Sequence, residues 1–261
     1  MYNQICSRKY PGHWVILVDQ SMHMQEYRER AIESVMFLLE ELLEYCITGI
    51  DIRRRFYISI IGYGSNSANI VKQGWIDDYV EILCEWKKEG RIFIDNISQN
   101  DFSCLSAYKL ANEVIDKWAE TFAEKNEIGV QELPAPAILN ISCEKESFVN
   151  QELFQVVDNI KAKEYSNGKS SPLLLSFHFS ELNATFFPVL SHSNVYCTTS
   201  FIPNEHAISI ILNCSDYKVS DKSLCYIKSS KAEHILMLTS FMLIRHPLPD
   251  DLYYGYRHCF G

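Results

Sequence analysis

Residues 13–24 read HWVILVDQSMHM, and this stretch decides the fold. Five consecutive apolar residues, from Trp14 to Val18, run directly into Asp19. An unbroken apolar run of this length is typical of a strand that is buried on both faces, as in a parallel sheet. Asp19 then stands at the carboxyl end of a central strand, which is the edge where open α/β sheets bind their ligands.

An amphipathic helix is predicted after this strand. Between Met24 and Cys46 the apolar residues fall mainly three and four positions apart, which predicts a helix of about six turns. The sequence Thr48-Gly49-Ile50 is expected to end this helix, with Gly49 as its C-terminal cap.

Strands and helices alternate along the rest of the first two thirds of the chain. Strands are predicted at 56–61, 137–141 and 173–179, and helices at 105–122 and 152–161. Asp101 or Ser103 is the expected cap of the first of these helices. Small residues at 62–65 would allow a close approach at the exit of the 56–61 strand. This order predicts an α/β fold, a doubly wound and mostly parallel sheet with helices on both faces.

The remaining segments carry weaker patterns. Short strands are expected at 68–75 and 91–94, joined by a charged segment with helical character around 79–88. An edge strand is expected at 224–227, and an apolar terminal helix at 231–245 that is stopped by Pro247 and Pro249. We therefore expect one domain over 1–261, with a core at about 12–182 and an irregular extension at 183–261.

Composition limits the classes of partner. The chain has 261 residues, 47% of them hydrophobic, and a net charge of -9. Nucleic acid and anionic membranes attract clustered positive charge, so neither is expected as a partner. The one basic cluster, Arg53 to Arg55, is interpreted as a solvated loop and not as a phosphate site.

Cysteine usage indicates a reducing compartment. The nine cysteines include no CxxC pair and lie in apolar segments, so they are expected to be small buried hydrophobes. The first ten residues have no apolar core of a signal peptide, and no run approaches the ~20 apolar residues of a membrane span. A soluble cytoplasmic protein is expected.

Three stretches together resemble a known family. They are HWVILVDQS at 13–21, RFYISIIGYG at 55–64 and PAILNIS at 136–142. The combination is similar to the von Willebrand factor A (VWA) fold, and more narrowly to bacterial cytoplasmic VWA proteins of the tellurite-resistance type. The likeness covers roughly 12–182 and, more loosely, 224–246.

The resemblance implies a metal site whose ligands this chain keeps only in part. The family holds a divalent cation at a metal-ion-dependent adhesion site (MIDAS) built from an Asp-x-Ser-x-Ser loop, a Thr and a further Asp. Asp19 and Ser21 match the first two positions, whereas the last three fall on His23, Phe102 and Cys143. Mg²⁺ prefers hard oxygen ligands, and imidazole and thiol suit softer metals. The interpretation is a degenerate site without functional Mg²⁺ and therefore no cofactor.

Two alternatives keep a metal. Mg²⁺ could bind through Asp19 and Ser21 if neighbours replace the lost ligands, namely Asp101 or Ser103 for Phe102 and Glu144 for Cys143. Zn²⁺ could instead bind Asp19, His23 and Cys143, since carboxylate, imidazole and thiolate are all zinc ligands.

Catalytic motifs are not evident. The sequence contains neither a Gly-x-Ser-x-Gly elbow nor a phosphate-binding loop with the Gly-Lys-Ser/Thr signature. A reactive thiol at Cys143, activated by Lys145, is the weak enzymatic alternative. A non-enzymatic protein-interaction module is therefore predicted.

Its contact surface is expected on the loops at the carboxyl ends of the strands. These loops are 19–24, 62–66, 100–104 and 142–148, and the partner-binding candidates are Gln20, Met22, Tyr63, Asp101, Ser103 and Glu144. The resemblance implies a protein partner, such as a Ser/Thr kinase, a phosphatase or an ATPase of a bacterial stress or phage-defence system. A metal-dependent VWA binding protein is the alternative.

Overall fold

A computed structural model describes residues 6–49, 51–64, 67–89, 104–143, 151–179, 185–187 and 226–236. Within these residues the main feature is a seven-stranded sheet with the order β5-β4-β1-β6-β7-β9-β8. Its strands are β1 (Gly12–Asp19), β4 (Phe56–Gly64), β5 (Ser67–Trp75), β6 (Ala137–Cys143), β7 (Leu173–Phe179), β8 (Thr185–Phe187) and β9 (Tyr226–Ser229). A separate two-stranded hairpin is formed by β2 (Ile47–Thr48) and β3 (Asp51–Ile52).

The five inner strands of the sheet run parallel to one another, and an antiparallel strand closes each end. Parallel pairing joins β4 to β1, β1 to β6, β6 to β7 and β7 to β9. The end strands β5 and β8 pair antiparallel with β4 and β9. The predicted α/β fold with a mostly parallel sheet is confirmed.

Four α-helices and four short 3₁₀ turns complete the described elements. The helices are α1 (Arg28–Glu44), α2 (Val80–Glu89), α3 (Leu105–Asn126) and α4 (Gln151–Lys161). The 3₁₀ turns are Met22–Tyr27, Ile76–Tyr79, Val130–Glu132 and Ala232–Ile235. None of the helices described is both long enough and apolar enough to span a bilayer.

The helices lie on both faces of the sheet, as the sequence predicts. Strand register places His13 and Phe179 on opposite faces, because alternate residues of a strand point to opposite sides. Trp118 of α3 packs on His13, with ring centroids 4.6 Å apart. Tyr27, just before α1, stacks on Phe179 at 5.6 Å. All eight residues of β1 are buried between these layers.

Helix α1 is also held by residues far along the chain. Arg30 Nη1 donates to the Ser230 carbonyl at 3.0 Å, and Ser34 Oγ donates to the Ala232 carbonyl at 3.2 Å. The segment after β9 therefore docks on α1, and the long amphipathic helix packs against both the sheet and this segment.

The start and the end of α1 differ from the prediction. The α-helix begins at Arg28, and Met22–Tyr27 forms the 3₁₀ turn. Its buried residues, Met24 and Tyr27, are three apart, which is the 3₁₀ period. The helix ends at Glu44, and Gly49 lies instead in the β2–β3 hairpin with a φ of +63°. A glycine suits a helix cap and a hairpin turn for the same conformational reason, so the sequence could not separate them.

The C-terminal predictions were partly wrong. The expected edge strand at 224–227 is observed as β9, and it lies inside the sheet because β8 pairs along its outer side. The predicted terminal helix begins with the 3₁₀ turn Ala232–Ile235 and is α-helical at Leu236, and residues 237–245 lie outside the described residues. The predicted strand at 91–94 also lies outside them, whereas 68–75 and 79–88 are confirmed as strand and mainly helix.

Basic and sulfur side chains also show differences from the predictions. The solvated-loop prediction is wrong for Arg55, which is 4% exposed, while Arg54 pairs with Asp77 at 2.8 Å near the surface.

The prediction that the cysteines are buried is confirmed for the described residues Cys6, Cys46, Cys104 and Cys143. It is wrong for Cys84, which is exposed.

Candidate functional site

Asp19 ends β1 at the point where the winding of the sheet reverses. The chain passes from β1 to β4 on one side and returns later to β6 on the other side. Ligands of doubly wound sheets bind at such a switch point, at the carboxyl ends of the strands. The prediction that Asp19 stands at the carboxyl end of a central strand is therefore confirmed.

The Asp19 carboxylate is buried, and one of its two oxygens is hydrogen-bonded. Asp19 is 1% exposed, and its Oδ1 accepts a hydrogen bond of 2.7 Å from the Ser21 amide. Asp19 Oδ2 and Ser21 Oγ are both buried and have no hydrogen-bond partner among the described residues. Two adjacent polar atoms are thus left unsatisfied at the switch point, which is uncommon in a folded protein.

Burial changes the ionisation of this site. Loss of solvation raises the pKa of Asp19 to about 7, and the nearby amide and hydroxyl groups of Ser21 both oppose part of that increase. Near neutral pH the carboxyl is therefore divided between its protonated and ionised forms.

The loop after Asp19 is fixed against β4. The Gln20 amide donates to the Tyr63 carbonyl at 2.7 Å. The Gln20 side chain covers Gly62, where an added Cβ atom would collide with the side-chain amide. The predicted close approach at 62–65 is confirmed at Gly62, and the group that approaches is this side chain.

A small pocket opens beside Asp19. It is lined by Asp19, Gln20, Ser21, Met24, Gln25, Arg28 and Ala31. Met22 and His23, which lie in the chain between the lining residues Ser21 and Met24, are exposed, and Met22 is 49% exposed. The 3₁₀ turn explains this division, since Met24 points inward and its two predecessors point outward.

A buried polar row lies on the same face of the sheet as Asp19, and sequence reasoning missed it. Tyr63 Oη donates to Asn140 Oδ1 at 2.7 Å, and Ser142 Oγ lies 3.2 Å from His178 Nε2. Burial lowers the pKa of His178 to about 4, so its ring is neutral. The available signal was polar residues in alternate positions of the apolar strands β6 and β7.

The residues at the expected metal positions do not assemble into a metal site. His23 is exposed, Cys143 is 2% exposed at the end of β6, and no three His, Cys, Asp or Glu side chains of the described ranges are placed to hold an ion. The expected convergence of Asp19, His23 and Cys143 is therefore wrong, because the 3₁₀ turn directs His23 outward. Of the expected Mg²⁺ ligand positions, Asp19 and Ser21 are the ones that the described residues provide with oxygen atoms.

Several predicted site residues cannot be placed. Phe102, Asp101, Ser103 and Glu144 lie outside the described residues, as does Lys145. Of the predicted contact residues, Gln20, Met22 and Tyr63 are brought together around Asp19, although Tyr63 is buried and contributes through its main chain and its bond to Asn140.

Comparisons with solved structures agree with the fold. No protein-family model matches the chain, and no curated protein matches it. A structure of proximal thread matrix protein 1 from the mussel byssus, with a zinc-occupied MIDAS motif, is similar at a TM-score of 0.51 and 9% identity, covering 93% of this chain and 48% of that one. This chain therefore spans about half the length of that protein.

Two further structures are similar at lower scores. The N-terminal domain of TFIIH p34 has a TM-score of 0.46 and 14% identity, covering 66% of this chain and 81% of that one. The VWA domain of SpRpn10 has a TM-score of 0.47 and 12% identity, covering 92% of this chain and 99% of that one. The fold is that of a VWA-like domain.

Proposed function

We propose that this chain is a non-enzymatic protein-interaction module that binds a protein partner at the carboxyl edge of its sheet without Mg²⁺. The observation that carries this proposal is the switch-point pocket, where Asp19 Oδ2 and Ser21 Oγ lack partners among the described residues, next in sequence to the exposed Met22. Exposed methionine is common on binding surfaces because its side chain adapts to different partners. The pocket supplies polar specificity, and Met22 supplies apolar contact.

The character of the ligand positions supports binding without metal. Of the expected ligand positions, Asp19 and Ser21 supply oxygens, and the described residues contain no group of three His, Cys, Asp or Glu side chains that could hold an ion.

The non-enzymatic part of the proposal rests on burial. Ser142 and His178 form a pair that resembles a nucleophile and a base, but Ser142 is 0% and His178 2% exposed. A substrate cannot reach a pair buried beneath the helices, so its role is to satisfy polar groups within the sheet. The Cys143 thiol is similarly buried.

A metal-dependent binding protein is the second candidate. The unsatisfied oxygens of Asp19 and Ser21 favour it, because a cation would satisfy both atoms. Its further ligands would have to come from sequence positions such as Asp101, Ser103 or Glu144. The zinc-occupied MIDAS motif of the mussel protein supports the same candidate.

The partner system is proposed from the resemblance alone. A Ser/Thr kinase, phosphatase or ATPase of a bacterial stress or phage-defence system is the type of partner that it implies. The reduced, mostly buried cysteines support a reducing, cytoplasmic setting.

The proposal is tested by partner capture with surface variants. Met22→Glu is expected to abolish capture of the partner, whereas Ile47→Glu is expected to retain it. Ile47 is the matched control because it is 46% exposed, close to the 49% of Met22, and lies in the hairpin near the amino ends of the strands. EDTA should leave capture by the wild type unchanged. Release by EDTA, or full capture by Met22→Glu, would contradict the proposal.

A further inference from the structure

The two unsatisfied oxygens at the switch point need hydrogen-bond donors. Asp19 Oδ2 and Ser21 Oγ are buried, and neither has a partner among the described residues. Leaving such groups without partners costs free energy that a bound ligand can recover. A carboxylate oxygen only accepts, whereas a hydroxyl oxygen both accepts and donates, so a positively charged ligand with N–H donors can satisfy both atoms.

We propose that the pocket beside Asp19 binds the ammonium group of a lysine side chain of the partner. This inference rests on the proposed function and names the chemistry of the partner at that site. In this arrangement the lysine takes the position that a divalent cation occupies in metal-dependent relatives, and contact with the partner is direct.

The pocket fits an ammonium better than a guanidinium. Ammonium is a compact charge with three donors, whereas the guanidinium group is a planar fork that pairs best with two oxygens of one carboxylate. Here one carboxylate oxygen is already bonded to the Ser21 amide, so Asp19 offers only Oδ2. The second acceptor is the Ser21 hydroxyl, and Gln20 and Gln25 also line the pocket.

The apolar part of the pocket fits the lysine stem. Met24 and Ala31 line the pocket together with the polar groups. A lysine side chain buries its methylene groups along such a surface while its charge reaches a polar site.

Charge supports a cationic occupant. The chain carries a net charge of -9. Asp19 is the acidic residue of the pocket lining and Arg28 is the basic one. The buried Oδ2 atom of Asp19, which has no hydrogen-bond partner among the described residues, is the acceptor offered to a cationic ligand.

The test uses n-butylammonium chloride as the probe and the amide resonance of Ser21 as the readout. That amide donates to Asp19 Oδ1, so it reports directly on the carboxylate. The isotopically labelled chain is titrated at pH 8 with n-butylammonium, with tetramethylammonium at equal ionic strength, and with MgCl₂. We expect a saturable shift in the millimolar range with n-butylammonium and none with tetramethylammonium, which has no N–H donor.

Two variants isolate the carboxylate. Asp19→Asn keeps an oxygen for the Ser21 amide and removes the charge, and it should weaken n-butylammonium binding by at least about tenfold. Glu26→Gln removes an exposed charge from the same turn and should bind as the wild type does. Circular dichroism of both variants verifies that they are folded.

Each outcome separates the inference from the proposed function. Equal shifts with both ammonium ions mean general screening and overturn the inference. A shift with Mg²⁺ alone, lost in Asp19→Asn, reveals a metal site and overturns both the inference and the metal-free function. No shift with any cation, together with loss of partner capture in Met22→Glu, overturns the lysine site and leaves the proposed function standing.

Discussion

Tyr63 Oη donates a 2.7 Å hydrogen bond to Asn140 Oδ1, and this bond joins β4 to β6 across the intervening strand β1. Both residues are buried, and the register places them on the face of the sheet that carries Asp19. The bond therefore ties together the two strands that flank the candidate site.

Removing the phenolic hydroxyl should destabilise the fold. In Tyr63→Phe the Asn140 oxygen loses this buried donor, and the free energy of unfolding is expected to fall by about 1–3 kcal/mol. Urea unfolding measures the change. Tyr10→Phe is the control, because its 3.4 Å bond to Glu132 is exposed and its loss should cost less than about 0.5 kcal/mol. An equal loss of unfolding free energy in the two variants would show that the buried hydrogen bond contributes no more to stability than the exposed one.

Asp19→Asn should become more stabilising as pH rises. The folded pKa of about 7 lies above the reference value of 3.8, so the stability associated with the protonated carboxyl is complete below pH 3.8 and is lost as pH rises to about 7. Asparagine does not ionise, so the free energy of unfolding of the variant does not fall in this way. Between pH 4 and pH 8 the free energy of unfolding of the variant is expected to rise relative to that of the wild type by up to about 4 kcal/mol. Urea unfolding at several pH values measures this difference, and a difference that does not change with pH would contradict the raised pKa.

The two buried histidines should remain neutral in mildly acidic solution. Burial lowers the pKa of His13 to about 3 and that of His178 to about 4, from 6.5. Their contribution to stability is therefore complete above pH 6.5 and is lost as pH falls through these lower values. Imidazole NMR resonances, assigned with His13→Gln and His178→Gln, should not shift between pH 8 and pH 5. A midpoint near 6.5 for either ring would show that it is solvated.

A methyl group at Gly62 should act through Gln20. In Gly62→Ala the new Cβ atom would meet the Gln20 side-chain amide, and because that side chain is flexible the expected cost is only about 1 kcal/mol. The side-chain amide resonance of Gln20 should shift.

The same substitution in a Gln20→Ala background is the control. There the collision is removed, so Gly62→Ala should cost less than it does alone, and a double-mutant cycle measures the difference. Additive effects would mean that Gln20 does not cover Gly62 in solution.

The elements that sequence reasoning placed correctly are those with a strong hydrophobic period. The apolar run at 14–18 is buried as β1, and the spacing of Ala111, Ile115 and Trp118 follows the buried side of α3. Such patterns survive in a single sequence because each residue of the period faces the same core. Gly49 and β9 were misjudged because a turn glycine and a short apolar strand have no period that fixes their neighbours.

The candidate site was predictable in position but not in detail. Asp19 and Ser21 follow a recognisable strand, so their location at the carboxyl edge could be expected. The outward direction of His23 depends on a 3₁₀ turn, and the bond between Tyr63 and Asn140 joins residues 77 positions apart. Neither relationship leaves a local pattern, so only the assembled fold could reveal them.

The docking of Ser230 and Ala232 on α1 has a consequence for the order in which the chain matures. The partners of Arg30 and Ser34 lie 200 and 198 positions later in the sequence. During synthesis, the helix that follows the Asp19 loop must wait for almost the whole chain to emerge before these contacts can form. A ribosome-bound chain that ends before Ser230 lacks both acceptor carbonyls, so it would carry the Asp19 loop on an incompletely supported helix α1.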